Sequence, residues 1–295
     1  MLLTRAMDLI DVREVRVARA RGDLVFGDGE RPLGGGTWLY SEPQPGTTGL
    51  VDLTGLDWQP LVASPSGLSI AATCTIAELA GFAAQPGWAA QPLFALCADA
   101  LLASWKIQRV ATVGGNICTS LPAGPMISLA AALDGVAVIW KADGSDLTLP
   151  VAQLVTGPQL NLLGPGDVLR SIELPAATLR ARVGFRRISL SPLGRSGVLV
   201  IARVDEGGAF VVTVTASTPR PRQIAFAAVP DAATLASGLD TIDDWYDDPH
   251  GAPDWREAMT RRFAEELRVE LMASSVGDGA VGDSAVGDGA VGVGR

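Results

Sequence analysis

The sequence is poor in the side chains that most enzymes use for proton and group transfer. Histidine occurs once, as His250, inside the loop-like string YDDPHGAPDW. A Ser–His–Asp or Cys–His mechanism would rest on that one residue, and a histidine-ligated metal has no second histidine to use. The three cysteines, Cys74, Cys97 and Cys118, lie 23 and 21 residues apart. That spacing fits neither an iron–sulfur loop nor a zinc knuckle, and an odd count suits no secreted disulfide framework, so buried thiols in a reducing compartment are expected. Lysine is nearly absent, with only Lys106 and Lys141, and no GxxxxGK[ST] stretch exists to hydrolyse nucleotides on a P-loop. Acidic residues outnumber basic ones, 32 against 23, which argues against nucleic acid or an anionic membrane as main partner. Apolar runs such as GVLVIA at 197–202 have the length of strands, far short of a membrane span. The first dozen residues carry charge and no apolar h-region, so a soluble cytoplasmic protein is expected. Any redox or transfer chemistry must come from a cofactor.

What is present has a mixed texture. Residues 1–32 read as a short strand, a helix over 12–21 and a strand near 24–26. Helical spacing recurs at 75–84, at 92–105 (Leu93, Leu96, Ala100, Leu101 and Trp105 on one side) and at 125–135. VAVIWKADGSDLTLP reads as a hairpin about an Asp-Gly turn. After Pro175, RVGFRRISL, GVLVIARVD and AFVVTVTAS form an antiparallel meander, followed by a helix at DAATLASGL. The acidic string 240–254 reads as a solvated linker, since its carboxylates lack EF-hand spacing. A last helix opens with Asp254 as N-cap and Glu257 three residues on, with Trp255, Met259, Phe263, Leu267 and Leu271 as its apolar stripe. Strands and helices without a steady βα rhythm indicate an α+β fold. From Ser275 the chain is a degenerate array (SVGDG, AVGDS, AVGDG, AVGVG) too poor in apolar surface to order itself. It holds two GDGAVG matches to the dinucleotide fingerprint, at 277–282 and 287–292, and both fail for want of a preceding strand.

Two glycine clusters remain. LGGGTWLY at 33–40 and TVGGN at 112–116 combine tandem glycines, threonine and a further polar side chain. Consecutive backbone N–H groups in glycine-permitted conformations make concave anion sites, and two facing cradles suit a diphosphate. Two unrelated turns would have the same composition, so the pair alone does not decide.

The ordered series LGGGTWL, GLVDLTGL, LSIAATCTIAEL, IQRVATVGGNICTS, VTGPQLNLLGPGDVLRSIELP and FRRISLSPLGRS resembles the FAD-binding subunit of molybdenum hydroxylases. That group includes the xanthine dehydrogenase and aerobic carbon monoxide dehydrogenase type enzymes, and the resemblance spans about 5–272. It implies a vanillyl-alcohol-oxidase-like (PCMH-type) FAD-binding domain of two α+β subdomains, 1–56 and 57–176. A C-terminal domain of antiparallel strands plus helices at 177–272 follows, then a disordered tail at 273–295. By position it implicates Gly34, Gly35, Gly36, Thr37 and Trp38, then Thr112, Val113, Gly114, Gly115 and Asn116, in wrapping the FAD diphosphate. Leu169 and Arg186 align with residues near the flavin in relatives. Arg182, Arg187 and Arg195 share the neighbourhood of Arg186, facing either the flavin, a partner or solvent. Trp38 either stacks on a cofactor ring or packs in the protein.

The same resemblance implies that the chain itself does no substrate chemistry. A large molybdopterin-binding subunit would hydroxylate the substrate, and a small subunit with two [2Fe–2S] clusters would pass electrons on, in a dimer of heterotrimers. A flavin accepts electrons singly and releases them in pairs, which places FAD last, before an external acceptor. The sequence departs from the pattern where relatives have a serine and an aspartate beside the sugar-alcohol chain of FAD; here stand Leu121 and Pro125. Losing those hydrogen bonds costs about 1–3 kcal/mol of cofactor affinity, with Asp99 or Asp134 as possible substitutes. Two other readings stay open: a structural subunit that has lost FAD, and a stand-alone flavin oxidoreductase related to peptidoglycan-precursor reductases.

Overall fold

A computed structural model describes residues 9–277. The first part holds β1 (Glu14–Val17), β2 (Glu30–Leu33) and β3 (Gly49–Asp52) in a parallel sheet of order β1-β3-β2. Next come β4 (Leu61–Ser64), β5 (Gly67–Ala71), α1 (Ile76–Ala80), α2 (Leu93–Ala100), α3 (Trp105–Gln108), α4 (Val113–Thr119) and α5 (Pro125–Ala132). They are followed by β6 (Val136–Trp140), β7 (Asp146–Pro150), α6 (Val151–Leu154), the small hairpin β8 (Val155–Gly157) and β9 (Leu160–Asn161), and β10 (Val168–Pro175). Five of these strands make an antiparallel sheet, β4-β5-β10-β6-β7. The last part holds α7 (Ala176–Arg180), the meander β11 (Arg182–Ile188), β12 (Val198–Val204), β13 (Phe210–Thr215) and β14 (Arg222–Phe226), α8 (Ala232–Leu239) and α9 (Pro253–Gly277).

The N-terminal expectation fails at two places. Residues 14–17 are a strand rather than part of a helix, because Val15 and Val17 alternate with Glu14 and Arg16 and the segment pairs with β3. Arg16 then ties the sheet together by its ion pair with Glu30 on β2, at 3.1 Å. Residues 24–26 are irregular, and the strand there is β2, which runs directly into the glycine loop. The expected helix at 92–105 breaks after Ala100, with Leu102 in the left-handed region at φ 55°. Trp105 therefore starts α3, which Ser104 caps, and its ring is exposed instead of sharing the stripe of α2.

Helix α5 is the hinge of the packing. All eight of its residues are buried, as an element apolar on every side requires. One flank meets α2 and α4, and another meets β12 and β13 of the C-terminal meander. Ser128 on α5 and Thr215 on β13 share a hydroxyl hydrogen bond of 2.7 Å across that join. The stripe of α9 packs on the meander as expected, with Phe263, Leu267 and Leu271 in the core and Trp255 and Met259 at its margin.

The start of α9 differs from the sequence reading. Pro253 opens the helix, so Asp254 lies in its first turn rather than capping it, and Glu257 pairs with Arg261 at 2.8 Å. The helix continues through 273–277. The remainder of the repeat array, with the second fingerprint match and most of the first, lies outside the described residues. The acidic string 240–254 is largely solvent-exposed, as expected, and is also ion-paired: Asp244 meets Arg222, Asp240 meets Arg261 and Asp248 meets Arg256. Among the described residues no cluster of carboxylates, cysteines or histidine is placed to hold a metal.

Arg256 is 1% exposed and binds the loop ends of this region together. Its guanidinium donates to the carbonyl oxygens of Gly251 (2.8 Å), Gly197 (2.7 Å) and Ala216, and to the Asp248 carboxylate. Truncating it leaves three buried carbonyls without their donor and the Asp248 carboxylate with only His250 N–H at 2.8 Å. Arg256→Ala is expected to lower stability by about 3–5 kcal/mol, measured as a fall in the urea midpoint; an unchanged midpoint would contradict the packing described.

Candidate functional site

Strand β2 ends at Leu33 and the chain turns at once through Gly34, Gly35 and Gly36. The reason for the glycines is local. A Cβ on Gly35 would stand 1.8 Å from the carbonyl oxygen of Val110, and one on Gly34 would stand 2.9 Å from Oγ1 of Thr112. The first loop thus lies flat against the backbone that leads into the second. Gly36 adopts φ 69°, where an L side chain is strained, and a Cβ there would strike the Tyr40 ring. The turn closes with Tyr40 N–H donating to Gly36 O at 2.9 Å and Ser41 N–H to Trp38 O at 3.1 Å.

That geometry leaves a row of donors. The amides of Gly34, Gly35, Gly36, Thr37 and Trp38 have no acceptor among the described residues, and neither does the Thr37 hydroxyl. Backbone N–H groups rarely stay unpaired unless water or a ligand takes them. A left-handed glycine within such a run is the conformation that makes amides converge on an anion.

The second loop works differently. Thr112 caps α4, its hydroxyl accepting from Gly115 N–H at 3.0 Å. Val113 N–H donates to Cys74 O at 2.8 Å, Gly114 N–H to Ala72 O at 3.0 Å and Asn116 N–H to Thr112 O at 3.0 Å. All the first amides of α4 are therefore already satisfied within the protein. The picture of two equal amide cradles is replaced by one cradle and one brace. Gly114 belongs to the brace, since its Cβ would come within 2.5 Å of Ala72. Asn116 extends the brace to α5, its Oδ1 accepting from Met126 N–H at 3.0 Å just past Pro125, which has no N–H to offer.

The two loops open on one cavity of about 560 Å³, a size suited to a large cofactor. Gly34, Gly35, Gly36, Thr37, Trp38, Thr112, Gly115 and Asn116 line it. Val113, 2% exposed, and Gly114 sit behind the wall. Leu169 is buried in β10 within the core, and Arg186 on β11 is held by Glu266 at 3.2 Å and Glu270 at 2.6 Å; neither reaches the lining. Leu121 and Pro125 do line the cavity, so the departure from the family pattern stands in its wall. Asp99 and Asp134 are absent from the lining, and Asp134 is engaged by Arg203 and Gln223. Neither replaces the missing acceptors.

The lining includes Gln159 and Leu193, which the sequence reading passed over, and Arg195, whose direction it left open. Gln159 has a left-handed φ of 58°, fixed by its N–H donating to Ser120 O at 2.8 Å; nothing in the string GPQL signals this. Among the described residues no carboxylate lines the cavity, whereas Arg31 and Arg195 do. Cys118 also borders it, with a thiol pushed up to about 12 by burial, hence protonated and inert near neutral pH. Among the described residues the wall thus carries two arginines and no carboxylate or histidine.

Residues 11–177 match the FAD binding domain in molybdopterin dehydrogenase. The chain belongs to that family. Its FAD-binding domain accordingly comprises the parallel sheet, the five-stranded sheet and the helices between them. Most of the described chain shares the fold of chains from solved oxidoreductases. A chain of quinoline 2-oxidoreductase from Pseudomonas putida 86 superposes with a TM-score of 0.72 at 19% identity, over 87% of this chain and 95% of that one. A chain of carbon monoxide dehydrogenase from Hydrogenophaga pseudoflava, in a form lacking the Mo-pyranopterin moiety of its molybdenum cofactor, gives 0.70 at 18% over 87% and 96%. One of the reconstituted CO dehydrogenase from Oligotropha carboxidovorans gives 0.70 at 19% over 86% and 95%. No curated protein sequence matches the chain. These likenesses agree with the PCMH-type α+β fold read from the sequence.

The structure separates two glycines that composition treats alike. In this FAD-binding domain, Gly115→Val is expected to push Thr112 off its cap and fill the cavity wall, so that the purified chain still folds, destabilised by about 1 kcal/mol for the lost cap, but retains little FAD. Gly114→Val is expected to misfold, because its side chain meets the backbone of Ala72. Full flavin content in folded Gly115→Val would contradict the site.

Proposed function

We propose that this chain is the FAD-carrying electron-transfer subunit of a heteromeric molybdenum hydroxylase. It takes electrons from [2Fe–2S] clusters on a small partner subunit and delivers them to an external acceptor. A large molybdopterin-binding subunit completes the complex, assembled as a dimer of heterotrimers in the cytoplasm. The observation that carries the reading is the row of five unpaired amides from Gly34 to Trp38, opening on a carboxylate-free cavity.

The residues present fit the cofactor. Amides without a protein acceptor suit the oxygens of a diphosphate, and the Thr37 hydroxyl adds one more donor. Two guanidinium groups supply positive charge inside a chain of net charge −9. Thr112, Gly115 and Asn116 contribute shape, holding α4 and α5 so that the cavity stays open. Bound FAD would supply the conversion between single electrons and electron pairs. The chain's own groups bind and orient; with Cys118 protonated and no carboxylate or histidine among the described lining residues, they move no proton. Among the described residues no helix is long and apolar enough to cross a membrane. The neighbouring structures, quinoline 2-oxidoreductase and carbon monoxide dehydrogenases, support a place in molybdenum chemistry.

The apolar Leu121 and Pro125 remove acceptors from the wall, so affinity should be lower than a full set of polar contacts would give. The purified full-length chain is expected to show a flavin absorption band and to release FAD, identified by mass, on denaturation. Co-expressed partner chains carrying iron–sulfur clusters should reduce that flavin when the complex receives its substrate. A colourless protein that stays colourless when offered FAD would overturn the proposal and favour a purely structural subunit.

A further inference from the structure

The cavity is completed by a segment beyond the matched family region. That match ends at residue 177, whereas the loop from β11 to β12 brings Leu193 and Arg195 to the lining. Arg195 has no acceptor, carboxylate or aromatic ring as partner among the described residues. The other arginines of its group are all engaged. Arg182 donates to Leu271 O at 2.9 Å, and Arg186 pairs with Glu266 and Glu270.

Arg187 is engaged in a telling way. Its Nε donates to Ser196 Oγ at 2.9 Å and its Nη2 to Gly194 O at 2.9 Å, the residues on either side of Arg195. It has no carboxylate partner, and desolvation lowers its pKa from the ordinary guanidinium range. Holding an unneutralised guanidinium partly out of water is unfavourable. Here it fixes the backbone that carries Arg195. Two further bonds close the loop: Gly194 N–H to Ser191 O and Gly197 N–H to Ile188 O, each 2.9 Å. Arg195, exposed to solvent at the edge of a cavity whose described lining holds no carboxylate, has no partner among the described residues.

We infer that Arg195 is a cofactor-binding residue whose guanidinium receives the diphosphate oxygens of FAD, with Arg187 as the positioning residue that holds it there. This rests on the FAD reading above and extends it, because recognition of the dinucleotide then needs the C-terminal domain as well as the FAD-binding domain. Guanidinium groups bind phosphate through paired, charge-assisted hydrogen bonds, which a lysine reproduces only in part.

The test is equilibrium binding of FAD, ADP and riboflavin to the flavin-stripped full-length chain, compared with Arg195→Gln, Arg195→Lys, Arg187→Gln and the double variant with both glutamines. Arg195→Gln should weaken FAD and ADP roughly 10- to 100-fold while riboflavin, which has no phosphate, binds as before. Arg195→Lys should recover part of the loss. Arg187→Gln should weaken FAD and ADP but add nothing to Arg195→Gln, as expected of a residue acting through its neighbour. Unchanged FAD and ADP affinity in Arg195→Gln would overturn the inference and leave the FAD reading standing. An equal loss for riboflavin would also overturn it, since the loop would then be merely structural. A parent chain that binds neither FAD nor ADP would overturn the FAD reading itself.

Discussion

The carbonyl of Val110 fills the space where a side chain on Gly35 would stand, and this contact joins two stretches of chain with different duties. It requires a bare backbone at residue 35, since even a methyl group would be driven into the carbonyl oxygen. Glycine in an ordered loop is destabilising by roughly 0.5–1 kcal/mol relative to alanine, a loss that the surrounding core must offset. In return the glycine loop after β2 lies against Val110 and Thr112, just ahead of α4, and residues 34–38 line the cavity with amides that have no acceptor among the described residues. The geometry of the site follows from that approach.

A division of labour between the loops also explains how so few polar side chains hold the arrangement. The TVGGN segment spends its amides on Cys74, Ala72 and its own Thr112, which ties α4 to the turn after β5. Asn116 passes the constraint to α5, and α5 passes it to the C-terminal meander through Ser128 and Thr215. The cavity is therefore set by a chain of contacts that links three of the four sheets among the described residues. The electron-transfer role proposed above would benefit from such an arrangement, because a held cofactor keeps fixed distances to its donors and acceptors.

Much of this was legible beforehand, and the reasons for the exceptions are physical. Long apolar periodicity made α5, the β6–β7 hairpin, the meander and α9 readable, since burial enforces those patterns. The segment at 14–17 was misread because alternating charges with valine satisfy a helix face and a strand face equally over four residues. Which glycines touch a ligand and which touch the protein was hidden: Gly35 and Gly114 are required by neighbours distant in sequence, Val110 and Ala72. Arg195 was visible only as one of four arginines. Its isolation, and the bracing by Arg187, are facts of tertiary structure.

The unequal roles of the two loops can be tested most directly by amide hydrogen exchange on the purified chain, with and without FAD. The amides of 34–38 should exchange rapidly in the stripped protein and become protected when FAD is added. Those of 113–116 should be protected in both states, because their acceptors lie within the fold. If FAD instead protects 113–116 and leaves 34–38 unaffected, the assignment of cradle and brace is contradicted.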